Sequence, residues 1–389
     1  DPSAPTVLGT TDLPFGARVA AAGGGLLLLA EWEEMAVVDV NDPASPAVAG
    51  VVEADGSVLG AELHGGLAYV GIQWAGVHVL DLSDPASPSF LGPLAPVPQT
   101  APTGVAFAGQ HLLVTDHVGA GSAVLRSFAV GPDGLEPAGS AELPGEHAFD
   151  GVVDGDVAIV GIRRFVPDLT VVDLAVIDVA DPAAPQVVGM LPSAGWGYRP
   201  AIDIAGTVAV VAGGVVADLS DPSTPVVTSF DAFVSADDVA LEGDVAWWTR
   251  SGSLCATDLS DPAAPVLLGC HELADAWLSE ISVDGGRLVG SKTVSAPEGW
   301  RHSLVVFDVS EPTAPVEVGS LELPAAATEL VVRDHTAAFQ LGYHPGARPR
   351  APKSTREAHA LGVGYVGEIR LGLADLSDPA SPRLVVLRP

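Results

Sequence analysis

Four carboxylates recur at one place in a repeated unit and could together hold a cation: Asp150, Asp238, Glu280 and Glu329. Aligned at the start of the first strand of each unit, that place reads Val19, Gly60, Gly104, Asp150, Ala201, Asp238, Glu280 and Glu329, with Asp237 and His147 beside it. Oxygen-rich clusters of this kind suit Ca²⁺, which takes roughly 6–8 oxygen ligands. The same carboxylates could instead line a solvated acidic funnel, or anchor an Arg, an amine or sugar hydroxyls. With His147 as base, bound Ca²⁺ would support hydrolase or lyase chemistry. Recognition is the second chemistry on offer. Trp32, Trp74, Trp196, Trp277 and Trp300 fall in expected loops or crossings beside polar residues, as do Trp248 with Arg250. Loop aromatics with polar neighbours are the usual ingredients of a binding surface. The G-x-S-x-G elbow, the H-E-x-x-H pair and a phosphate-cradling glycine loop are all missing from the text.

What must position these residues is a repeat. VVDVNDPASPAVAG begins at Val37, and related copies begin at Val79, Val176, Val216, Ala256, Val306 and Leu373. The turn acids Asp42, Asp84, Asp181, Asp221, Asp261, Glu311 and Asp378 are spaced by 42, 97, 40, 40, 50 and 67 residues. The longest gap is two periods, with a degraded copy, SFAVGPDGLEPAGS, starting at Ser127 in its middle. Each unit alternates short β-branched runs with turn residues, giving four strands in roughly 45 residues, the size of a propeller blade. The expected fold is all-β: an eight-bladed β-propeller of four-stranded antiparallel blades, with a seven-bladed ring as the alternative. It forms a single domain over residues 1–389.

In the motif D-P-x-x-P the Asp can accept a main-chain bond two residues on, and the first Pro presets φ for the turn. The second Pro suits the start of an outer strand, where no ladder donor is needed. The other recurrent acid, at Asp39, Asp81, Asp178, Asp218, Asp258, Asp308 and Asp375, is expected to be a structural acceptor. These residues resemble the LVIVD repeat of bacterial and archaeal surface proteins over almost the whole chain, with the third unit departing from the pattern. The resemblance implies a secreted or cell-surface propeller and carries over no catalytic residue.

A net charge of −32, with 49 Asp and Glu against 17 Lys and Arg, argues against nucleic-acid partners and anionic lipid. No apolar run approaches the roughly 20 residues that cross a bilayer. Any export signal or anchor is expected to lie outside the chain, because Asp1 opens inside a turn motif, DPSAPTVLGT. Residues 1–10 should close the ring at the edge of the last blade, beside Arg383 to Leu387, as a fourth or fifth strand. Residues 343–367, with Arg348, Arg350, Lys353 and Arg356, form a long loop insertion in blade eight. Cys255 and Cys270 are equidistant from the centre of the turn SDPAAP, so they should face one another across two strands and form a disulfide.

With strands A to D running outward, the A–B and C–D turns share one side of the disk, and the B–C loops share the other with the D-to-A crossings. The second side collects the tryptophans. The expected function is a non-enzymatic secreted or cell-surface binding or scaffold module for a glycan, peptide or protein. No cofactor is required, and Ca²⁺ is the one candidate. The alternative is the calcium-assisted hydrolase or lyase at the central channel mouth.

Overall fold

The computed structural model describes the chain apart from residues 1–9, 13–17, 43–44, 94–99, 119–121, 132–133, 167–168, 193–200, 213, 223, 232–235, 251, 274, 298, 324, 334–335, 343–369, 376–382 and 389. The long loop insertion of blade eight therefore lies outside the described residues, as does Trp196. After a short strand β1 (Thr10–Asp12), blade one is β2 (Arg18–Gly23), β3 (Leu26–Glu31), β4 (Glu34–Asp39) and β5 (Ala47–Glu53). Blade two is β6 (Val58–His64), β7 (Leu67–Ile72), β8 (Gly76–Asp81) and β9 (Ser89–Pro93). Blade three is β10 (Thr100–Ala108), β11 (His111–Val118), β12 (Ser122–Gly131) and β13 (Gly134–Leu143). Blade four is β14 (His147–Asp154), β15 (Val157–Val166), β16 (Leu169–Asp178) and β17 (Gln186–Pro192). Blade five is β18 (Ile202–Ala205), β19 (Val208–Val211), β20 (Val215–Asp218) and β21 (Val226–Ser229). Blade six is β22 (Asp238–Glu242), β23 (Val245–Arg250), β24 (Ser253–Asp258) and β25 (Val266–Glu272). Blade seven is β26 (Ala276–Asp284), β27 (Arg287–Ala296), β28 (Gly299–Asp308) and β29 (Val316–Leu323). The last sheet is β30 (Ala326–Arg333), β31 (Thr336–Gly342), β32 (Arg370–Asp375) and β33 (Arg383–Arg388).

Seven of these sheets are four-stranded and antiparallel, and the last has five strands because β1 adds to the outside of β33 in parallel register. Thr10 pairs with Val386 and Asp12 with Arg388. Innermost strands follow one another around the axis, and β2 and β5 meet the last sheet, which closes the ring.

Middle strands are apolar almost throughout because both of their faces are covered by neighbouring blades, the pattern expected of doubly buried strands. β3 and β4 are buried at four consecutive positions each, whereas the outer strand β5 is largely exposed or half-exposed. The core is accordingly a set of seams between blades. One seam packs Met35, Val37, Val70, Ile72 and Leu80 between blades one and two, and another packs Trp247, Leu278, Leu288 and Phe307 between blades six and seven.

The repeat motif builds both the turn and the joint between blades. Asp84, Asp181 and Asp261 each accept the N–H two residues on. The strand acids Asp39, Asp81, Asp178, Asp218, Asp258 and Asp308 do the same for residues 41, 83, 180, 220, 260 and 310. Those main-chain bonds hold the carboxyls of Asp39, Asp81 and Asp258 below the usual carboxylate range, and the Ser310 hydroxyl is the first cause for Asp308. The proline turn then seats on a glycine of the preceding blade's outer strand. A Cβ on Gly50 would lie 2.4 Å from Pro88 Cδ and 2.6 Å from the Pro85 carbonyl oxygen, and one on Gly189 would lie 2.6 Å from Pro225 Cγ. Gly139 meets Ala183 and Pro185 in the same way. Gly50→Ala is therefore expected to cost about 1–3 kcal/mol by overpacking. Gly269→Ala, where nothing lies within 4 Å, should cost less than half as much in parallel urea melts.

Candidate functional site

The topology puts the B–C turns and the D-to-A crossings on one side of the disk. Four described tryptophans present their rings there: Trp32 is 75% exposed, Trp74 60%, Trp277 45% and Trp300 52%. Trp32 is in the turn from β3 to β4 and Trp74 in the turn from β7 to β8, while Trp277 lies near the start of β26 and Trp300 near the start of β28. Trp277 and Trp300 form an edge-to-face pair, centroids 5.3 Å apart and planes at 61°. Both belong to the part of blade seven where β27 and β28 run ten residues each and overreach the shorter blades.

Trp248 departs from the loop position expected of it. It lies inside β23, is buried, and donates its indole N–H to the Thr257 hydroxyl at 3.1 Å. Its neighbour Trp247 points to the opposite face of the same strand and is buried between blades six and seven. Consecutive strand residues face opposite ways, so both rings fill seams.

Two of the exposed rings sit on strained backbone. Trp32 has φ 53° and Trp74 φ 65°. Positive φ is uncommon for any residue with a Cβ and is an outlier for a bulky one, at a cost of about 1–2 kcal/mol relative to glycine. The two turns are tied to one crossing segment: the Val58 N–H donates to the Trp32 carbonyl at 2.7 Å, and the Gln73 N–H donates to the Ser57 carbonyl at 2.8 Å. The Ala54 N–H donates to the Glu33 carbonyl at 2.7 Å from the other end of that segment.

The acids of the innermost strands do something the sequence did not disclose. Each innermost strand turns an edge towards the axis, where its N–H groups have no strand partner and still require acceptors. Asp238 of β22 accepts the Ile281 N–H of β26 at 2.6 Å, and Asp203 of β18 accepts the Leu241 N–H of β22 at 2.7 Å. Ser282 of β26 accepts from Val332 of β30 at 3.1 Å. Nearer the opposite side of the disk, Asp154 accepts from Gly206 at 2.6 Å, and Glu242 accepts from Gly286 at 3.0 Å. Blades four to eight are thus stitched by side chains of one blade binding the main chain of the next. Asp203, Asp154 and Glu242 were not singled out from the sequence, because nothing inside one unit marks them.

Asp238 keeps its second oxygen on the Val239 N–H at 2.9 Å. Burial pushes its carboxyl up to about 7, with Glu280 and Asp203 pushing the same way and the two N–H bonds pulling against them. The folded state therefore holds a proton that the unfolded chain releases near the ordinary carboxylate value. Stability from this group is greatest below about pH 4 and declines as the pH rises to about 7. Urea melts at pH 4.5 and 7.5 should show a smaller decline in Asp238→Asn than in the parent, by the order of 2–4 kcal/mol. Equal declines would show that Asp238 titrates normally.

Glu280 sits at the bulge of β26, between Ser279 and Ile281, with φ 49°. Asp150 occupies the bulge of β14 and Glu329 that of β30, but their side chains lie outside the description. His147 begins β14 opposite Arg163. Among the described residues no group of three or more His, Cys, Asp or Glu could hold a metal ion. Cys255 and Cys270 pair directly across β24 and β25 and are joined, with S–S 2.04 Å. Among the described residues no helix is long and apolar enough to cross a membrane.

This arrangement of radial sheets defines a β-propeller, and solved structures share it. A computationally designed protein, Ika8, superposes with a TM-score of 0.60 at 11% identity, covering 86% of this chain and 96% of its own. Sqt1 of Saccharomyces cerevisiae gives 0.57 at 11% identity over 98% of both chains, and a Lactobacillus plantarum protein gives 0.50 at 14% identity over 81% and 91%. At such identities the likeness is one of fold. The LVIVD repeat profile matches residues 18–54, 55–94, 235–271 and 299–322, so the chain carries LVIVD repeats at four places. A search of curated proteins finds no match.

Proposed function

We propose that this propeller is a non-catalytic, secreted or cell-surface module whose B–C and D–A side recognises a peptide, protein or glycan. One observation carries the reading: Trp32, Trp74, Trp277 and Trp300 are each about half exposed or more and share one side, while Trp247 and Trp248 are buried. Exposed aromatic rings on a rigid ring of sheets supply contact area at low entropic cost. LVIVD repeats and propeller neighbours support a non-catalytic role. The disulfide supports export, because such bonds persist in oxidising compartments. No cofactor is required on this reading, and a melting temperature unmoved by millimolar Ca²⁺ is its expected check.

The test is a combined peptide and glycan array probed with the parent protein and with Trp32, Trp74, Trp277 and Trp300 all replaced by Gly or Ala. Retained ligands are expected to be lost from the variant while its melting curve stays cooperative. Ligands bound equally by both proteins would move recognition elsewhere on the disk.

A further inference from the structure

Blades one and two have a peculiarity of charge. Between Arg18 and Arg126 the chain contains no Lys or Arg at all. The same span holds Glu31, Glu33 and Glu34 around Trp32, and Glu53 and Asp55 where the chain leaves for blade two. Glu34 and Glu53 are directly opposed partners on β4 and β5, and both are exposed. Like charges facing across strands destabilise a sheet. Trp32 and Trp74 add two costs of another kind, large rings in water and a left-handed backbone where glycine would fit without strain. The crossing segment bonded to both turns joins them into one surface. Folding alone gains nothing from any of these features, so a bound partner accounts for them better than packing does.

We infer that the Trp32 and Trp74 turns form a docking surface for a basic peptide segment, one presenting Arg or Lys side chains. This rests on the loop-side reading above and names the partner's chemistry. Cations are attracted to indole faces, and carboxylates around those faces, with no Lys or Arg after Arg18 in the two blades, complement a positive partner. A guanidinium over Trp32 would also relieve the opposition of Glu34 and Glu53. Blade seven differs, because Lys292 and Arg301 lie in its strands near Trp277 and Trp300, and Lys292 already binds Glu317 at 2.9 Å.

The experiment is calorimetric titration at low salt with a decapeptide of alternating Arg and Gly, against an alternating Glu and Gly control. Trp32→Gly and Trp74→Gly are each expected to weaken the Arg peptide about tenfold. Glu34→Gln with Glu53→Gln should weaken it about three- to tenfold, and Val316→Ala, exposed at the start of the outer strand of blade seven, should leave it unchanged. Both glycine variants should melt within about 2 °C of the parent or above it, since glycine relieves the positive φ. Equal binding of the Arg peptide by parent and glycine variants would overturn the inference, reducing it to diffuse charge. So would a melting loss of about 5 °C or more, which would make the rings structural. An array ligand other than a basic peptide that is lost with Trp32 and Trp74 would retain the loop-side reading and remove this one. Insensitivity of every ligand to all four indoles would remove both.

Discussion

Trp247→Ala is expected to lower the unfolding free energy by about 3–5 kcal/mol, read from the midpoint of a urea transition. The ring is 1% exposed and lies in the seam of blades six and seven against Ala240, Leu278, Ile281 and Phe307. Alanine would leave a cavity that rigid strands on either side cannot collapse to fill. Trp277→Ala is the informative comparison. That ring is half in water and packs edge-on against one other exposed ring, so its loss should cost about 1 kcal/mol. If the two variants are equally destabilised, the division into seam tryptophans and surface tryptophans fails, and with it the case that the exposed set is kept for recognition.

Removing the disulfide is expected to have the next largest effect. Cys255 and Cys270 close a loop with a sequence separation of 15 and tie the outer strand of blade six to its neighbour. A closed loop of about 15 residues stabilises by about 3 kcal/mol through the unfolded chain. The double variant Cys255→Ala with Cys270→Ala should therefore melt lower than the parent, and dithiothreitol should lower the parent to meet it while leaving the variant unmoved. A parent insensitive to reductant, or one whose two thiols titrate freely after unfolding without reductant, would contradict the bond.

The architecture was legible because its determinants are local. The D-P-x-x-P turn, the alternating strands and the period of about 40 residues all lie within one unit, and the disulfide followed from the symmetry of a single hairpin. Relations between units were not legible. Asp203 and Asp238 bond N–H groups 38 and 43 residues away, so Asp238, read from the sequence as one of four acids at the channel mouth, also fastens one blade to the next. Nothing inside one unit marks Gly50 and Gly189 as the seats of the following blade's proline turn. Trp248 was misplaced because the strand was ended too soon, while β23 runs to Arg250. The left-handed φ of Trp32 and Trp74 left no trace in the text, since glycine is the residue that ordinarily marks such a turn.

The central claim is that one side of the disk recognises a partner while the other is scaffold. Hydrogen exchange by mass spectrometry, with and without a saturating ligand from the array, tests it most directly. The account predicts slowed exchange in peptides spanning residues 31–34, 54–58, 72–76, 275–277 or 299–302, with no change across the Asp-Pro turns at 83–88, 180–185 and 260–265. Protection concentrated in those proline turns would contradict it.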